Sequence, residues 1–294
     1  MADRDWLAER FEENRDHLRA IAQRMLGSSA EAEDAVQEAW LRLGRADAAE
    51  VENVGGWLTT VVSRVCLDAL RSRRLRESPA TPARSEDTPG GDPERDLMLA
   101  DSVGSALLVV LDALGPAERV AYVLHDMFDL TFEEIAGIVG RSPAAARQLA
   151  SRARRRIQGG SAAVEAEETR HGEIVAAFLA ASREGNLDAL LAVLDPDVVV
   201  RADETAVAAA AANRWGGSTE LPREVHGAQA VATMMKRRAG GVQPVMIDGA
   251  PGAAWSLDGE VRAAWIFAVE GGKIVEIELV LDPPRLAGLE VTAR

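Results

Sequence analysis

The chain has 294 residues, a single cysteine and a formal net charge of −14. One cysteine excludes an internal disulfide and a cysteine-based zinc site, and 47% apolar residues exclude a disordered chain. No run approaches the ~18 consecutive apolar residues of a membrane span, and the N-terminus lacks a signal-peptide layout, so a cytoplasmic protein of two or three units is expected.

Residues 5–75 read as three helices. Phe11, Leu18, Ile21, Ala22 and Met25 recur at helical spacing up to Gly27. Ser28 and Ser29 can cap a second helix, with Ala35, Val36, Ala39, Trp40 and Leu43 on its buried stripe. Gly55-Gly56 are expected to break the chain before a third helix, from about Trp57 to Arg74.

Glu77 to Asp96 reads as a linker, with four prolines, six acids and no Val, Ile, Leu or Phe. Fully extended it spans roughly 66 Å, enough to place its flanking units far apart on a partner. Leu97–Leu114 is predicted helical, and Pro116 is placed to start the next helix, which carries Val120, Val123, Leu124 and Met127. Thr131 and Glu134 fit a capping box for a short helix with Ile135, Ala136 and Val139. Gly140-Arg141-Ser142 then forms a tight connection to a helix opened by Pro143.

Beyond Gly159-Gly160 the pattern changes. Helices are predicted over Glu165–Arg183, Leu187–Leu194 and Gly227–Ala239, while alanine-rich Ala208–Ala212 is ambiguous. Val198–Val200, Val242–Asp248, Ala253–Leu257, Val261–Val269 and Lys273–Leu281 read as strands, with turns at Asp258-Gly259 and Gly271-Gly272. Helices followed by a strand meander indicate an α+β domain.

The net charge argues against non-specific nucleic-acid binding by the whole chain, but the charge is uneven. Ile135 to Val164 contains six arginines and no acid. Within it, Thr131–Ile157 reads as a helix–turn–helix. Ala146, Leu149, Ala150, Ala153 and Ile157 line its inner face; Arg147, Gln148, Ser151, Arg152 and Arg155 line the outer one. Arg and Gln near the start of such a helix can fork onto guanine and adenine edges in the major groove, and Arg154, Arg155 and Arg156 suit phosphates. The plainer alternative is a solvated basic face.

Arg64, Arg71, Arg73, Arg74 and Arg76 form a second basic cluster on the helix that Trp57 opens. It suits an unpaired base stacked beside held phosphates, or else a helix-end charge cluster. Glu31, Glu33, Asp34, Gln37 and Glu38 beside Trp40 and Leu41 suit a basic partner helix, or a solvated acidic face. With no His or Cys near them, they do not suggest a metal. In the C-terminal part Asp203, Glu204, Trp215, His226, Asp248, Trp255, Trp265, Phe267 and His171 are the pocket candidates; catalysis, ligand sensing and a purely protein-contacting role are all open there.

Together these stretches resemble one family, the extracytoplasmic-function sigma factors of the sigma-70 class. Ala30–Arg42 looks like region 2.2, Trp57–Arg71 like regions 2.3 and 2.4, and Leu114–Arg156 like region 4. Arg64 stands where many members carry Asn. The resemblance implies two all-α sigma domains, at 1–76 and 97–158 around a linker at 77–96, plus a C-terminal α+β SnoaL-like (NTF2-like) cone at 165–290, as in the sigma-J type. It implies core RNA polymerase as partner, through its β′ coiled coil and β flap, with Glu31, Asp34, Gln37, Glu38 and Trp40 facing the former. It implies promoter DNA, read at −10 by Asn53, Trp57, Arg64, Arg71, Arg73 and Arg74, and at −35 by Arg141, Ser142, Arg147, Gln148, Ser151, Arg152 and Arg155. No catalytic residue, cofactor, metal or membrane is implied, and the extension is expected to modulate activity by contacting the sigma domains. Three motifs of the sigma-J subgroup are altered here: the linker motif is absent, the cone reads Ala202-Asp203-Glu204-Thr205-Ala206, and the end reads Asp282-Pro283-Pro284-Arg285-Leu286. The competing expectation is a helix–turn–helix regulator fused to a ligand-sensing or catalytic pocket.

Overall fold

The computed structural model of the chain describes residues 2–45, 53–77, 110–159, 161–212 and 221–293. Two units form: Met1–Val139 with Leu149–Ile157, and Gly140–Gln148 with Gln158–Arg294. Residues 78–96 of the expected linker and 97–109 of the following helix lie outside the described residues, as does Trp215.

In the first unit, α1 (Ala2–Leu26), α2 (Ser29–Leu43) and α3 (Val54–Glu77) pack pairwise. The Ser28 hydroxyl accepts the Glu31 amide and so starts α2. Leu18, Ile21 and Met25 of α1, Val36, Ala39 and Leu43 of α2, and Leu58, Val62 and Cys66 of α3 are all buried, one apolar stripe from each helix. Burial pushes the Cys66 thiol up to about 12.

The two glycines at 55 and 56 do not break the chain. They lie in the first turn of α3, where Asn53 Oδ1 accepts the Gly56 amide at 3.0 Å. A Cβ on Gly55 would meet Asn14 Oδ1 at 2.8 Å, the tip of a side chain on α1 that would have to turn aside.

Helix α4 (Pro116–Tyr122) runs into a π-helical turn, Val123–Met127, where plain α-helix was expected. Next comes α5 (Phe132–Val139), capped reciprocally: Thr131 Oγ1 accepts the Glu134 amide and Glu134 Oε2 accepts the Thr131 amide. The Thr131 amide and hydroxyl, both donating to that carboxylate, hold it below its ordinary 4.5. Arg119 of α4 is buried and donates to the Met25 carbonyl, at the end of α1, at 3.0 Å. The last carbonyls of a helix lack internal partners and carry partial negative charge, which suits a guanidinium.

Helix α6 (Pro143–Ile157) spans both units, its first six residues lying in the second. Helices α7 (Ser161–Glu184) and α8 (Leu187–Val193) lead into β1 (Leu194–Ala202), α9 (Glu204–Ala211), β2 (Glu224–His226) and α10 (Ala228–Met235). Strands β3 (Gln243–Ile247), β4 (Ala250–Leu257), β5 (Glu260–Glu270) and β6 (Lys273–Val280) form the expected antiparallel meander. Three short elements escaped periodicity: β2, α11 (Pro283–Ala287) and β7 (Val291–Ala293). The sheet order is β2-β1-β6-β5-β4-β3-β7, with β1 parallel to β6.

Alternation along β5 covers both faces of this sheet. Ala263, Trp265, Phe267 and Val269 join the core with Val175 and Phe178 of α7, and the Phe178 and Phe267 rings meet edge-on at 5.5 Å. Ala264 and Ile266 face the other way. They pack with Ile247, Val280 and Ala145, near the start of α6.

Candidate nucleic-acid interface

On α2, Glu31, Asp34 and Gln37 are exposed, Glu38 and Trp40 are half-buried, and Leu41 is 48% exposed. The Trp40 ring packs against Phe11 of α1 with centroids 4.9 Å apart. Beside this pair runs a groove of about 440 Å³, with Phe11, Val36 and Trp40 as apolar wall and the Arg15–Glu33 ion pair (2.6 Å) in its lining. An apolar groove flanked by carboxylates suits a basic helix with an apolar stripe.

Trp57, Arg64 and Arg71 stand seven residues apart and so share one face of α3. Arg64 donates to the Gly137 carbonyl of α5 at 2.7 Å, and Arg73 pairs with Glu31 at 2.6 Å. The Asn53 side chain caps α3, its Oδ1 accepting the Gly56 amide at 3.0 Å.

At the turn between α5 and α6, Gly140 has φ +69°, the left-handed conformation that glycine adopts without strain. The basic face of α6 is smaller than its sequence implies. Arg152 is buried, its Nε donating to Glu118 Oε1 at 3.1 Å, and Arg156 donates to Glu118 Oε2 at 2.5 Å. Arg154 pairs with Asp126 at 2.6 Å. Glu118 is itself buried, and a buried carboxylate needs such counter-charges. Arg152 therefore faces inward, against expectation. Arg147 is exposed, while Ser151 and Arg155 are half-buried, with Arg155 donating to the Ser151 carbonyl.

Arg141, Ser142 and Gln148 belong to the second unit and are engaged there. Arg141 pairs with Asp248, both side chains nearly dry at 4% and 7% exposure. The Ser142 amide donates to Glu278 Oε2 at 3.2 Å, and its hydroxyl accepts the Ala145 amide as the α6 cap. Gln148 donates to the Val269 carbonyl at 2.8 Å, and Arg285 bonds both the Gly140 carbonyl and Glu278. Burial pushes the Glu276 carboxyl above its ordinary 4.5, although Ser142 and Arg201 pull the other way.

The pocket candidates scatter. Asp203 caps α9 and accepts the Leu281 and Asp282 amides, so it is structural. His226 is exposed beside Glu224, on an open groove of about 1030 Å³. Trp265 and Phe267 lie in the core and Trp255 packs at its edge. The seam bordered by Phe178, Ser182, Met235 and Trp265 holds about 10 Å³, room for one water. It is also bordered by Arg238, a residue that periodicity did not single out; burial lowers its pKa. Among the described residues, no group of three or more His, Cys, Asp or Glu is placed to hold a metal, and no helix is long and apolar enough to cross a membrane.

Residues 10–76 match the model of sigma-70 region 2, and residues 105–157 that of sigma-70 region 4. The chain is 36% identical over 292 residues to the probable ECF RNA polymerase sigma factor SigI of Mycobacterium tuberculosis, covering 97% of each chain. It is 40% identical over 223 residues to the ECF RNA polymerase sigma factor SigJ of the same organism, covering 74% of this chain and 71% of SigJ. The crystal structure of M. tuberculosis SigJ aligns over 96% of this chain and 98% of that one, at 33% identity and a TM-score of 0.38.

Proposed function

The chain belongs to the ECF RNA polymerase sigma factors, and we propose that it brings core RNA polymerase to promoters through three surfaces. The α2 surface, with Asp34, Gln37, Trp40 and Leu41 beside the apolar groove, takes the β′ coiled coil. The α3 face of Trp57, Arg64 and Arg71, with Arg73 and Arg74, takes the −10 element. The start of α6, with Arg147 outermost, takes the −35 element. The C-terminal domain regulates this binding and catalyses nothing, and the protein works in the cytoplasm.

The likeness to SigI along nearly the whole of both chains carries this reading, because it includes the C-terminal domain as well as both sigma regions. A chain of net charge −14 is repelled by free DNA, so polymerase must supply the scaffold and the local concentration. Run-off transcription from a genomic promoter library, with core polymerase and the full chain, tests it. Specific transcripts are expected only when both are present. Failure of the chain to co-elute with core polymerase at low salt would overturn the assignment.

A further inference from the structure

The turn at Gly140–Ser142 carries the groups that a DNA backbone would use. A guanidinium, the amide at a helix start and a hydroxyl are the usual donors to phosphate oxygens. In this chain the guanidinium and the amide donate instead to carboxylates of the C-terminal domain. Arg141 meets Asp248, and the Ser142 amide meets Glu278. We infer that Asp248 and Glu278 stand in for promoter phosphates, so that the C-terminal sheet and the DNA backbone compete for one turn. This rests on the assignment of that turn to the −35 element.

The placement of the acids supports competition rather than incidental packing. Glu276 and Glu278 alternate along β6 with the core residues Ile277 and Leu279, so they occupy the outer face, where carboxylates are normally solvated. Both are only 8% exposed. Burying two neighbouring carboxylates is unfavourable unless cations and donors face them, and here Arg201, Arg285 and Ser142 do. Asp248 is set in advance. It sits in a left-handed turn (φ +49°), donates its backbone amide to the Glu290 carbonyl at 2.9 Å, and accepts the Glu290 amide on Oδ1 at 3.0 Å, while Oδ2 meets Arg141. A carboxylate offers arginine the same anionic oxygens as a phosphate. Ala145, packed with Ile247, Ile266 and Val280, seals the contact.

The test uses the full chain and a mixed-sequence DNA duplex, because phosphate contacts are independent of sequence. Asp248→Asn with Glu278→Gln should tighten duplex binding, read by fluorescence anisotropy, by about tenfold. A control double variant, Asp258→Asn with Glu260→Gln, changes charge equally on exposed residues away from the turn, and should give little gain. Hydrogen exchange should rise across residues 140–148 in the first variant and stay unchanged over β4 and β5. Unchanged affinity, unchanged exchange at the turn, or an equal gain in the control would overturn the inference. If the first variant unfolds, the wild-type chain still decides. Saturating duplex must then raise exchange at Asp248, which the displaced turn uncovers, and no rise there refutes competition. Loss of run-off transcription alongside a confirmed competition would remove the sigma assignment alone; normal run-off with unchanged duplex affinity would remove only the competition.

Discussion

Arg64 of α3 donates its guanidinium to the carbonyl of Gly137 in α5 at 2.7 Å, so a residue assigned to one promoter element is tied to the helix–turn–helix assigned to the other. Elements at −10 and −35 lie about 25 base pairs apart, roughly 85 Å along B-form DNA. On the proposed assignments, the two elements are not read together while this bond stands. Fluorophores at Ser72→Cys and Glu133→Cys should therefore show high transfer in the free chain and low transfer in holoenzyme bound to promoter DNA. Equal transfer in both states would contradict the requirement for separation.

Glu118 is the single buried acid shared by Arg152 and Arg156. Glu118→Ala leaves the buried Arg152 without that partner. It should lower unfolding stability by about 3–5 kcal/mol, measured by urea titration.

Arg147 is the outermost of the arginines on α6 assigned to the −35 element. If it forks onto a base, Arg147→Ala should weaken holoenzyme–promoter binding by roughly 1–3 kcal/mol and relax sequence preference at one position. Footprinting and competition across single-base variants would check this. An unchanged preference would remove Arg147 from base reading.

Glu276 sets a pH dependence whose sign is fixed by its environment. Burial raises its folded-state pKa above 4.5, so ionisation disfavours the fold. Its contribution is most favourable below 4.5 and falls as pH rises through the raised value, then stays flat. The stability of Glu276→Gln relative to wild type should therefore increase as pH climbs from below 4.5 toward neutrality. Urea titrations of both proteins across that window would measure it. A difference that shrinks with rising pH would contradict the assigned cause.

Local rules were sufficient where the cause was local. Thr131 and Glu134 announce their cap within four residues, Pro143 marks the start of α6, and the stripe of α2 follows from its period. Long-range partners were not legible. Periodicity places Arg152 on the outer face of an isolated α6, whereas in the structure it is buried against Glu118, 34 residues earlier. The acids of β6 read as a solvated strand face, and nothing nearby in sequence signals that Ser142, 136 residues before Glu278, covers them. Period two assigns faces but not neighbours, so the parallel pairing of β1 with β6 was equally hidden. An asparagine before a helix suits a cap as well as a base edge, and in the structure Asn53 takes the Gly56 amide.

The buried thiol of Cys66 gives the protein an internal clock. A sulfhydryl that stays protonated up to about 12 and has no solvent contact does not meet iodoacetamide or peroxide in the native state. As the chain holds no other cysteine, each alkylation event records one opening of the three-helix core, and the labelling rate counts how often that core breathes.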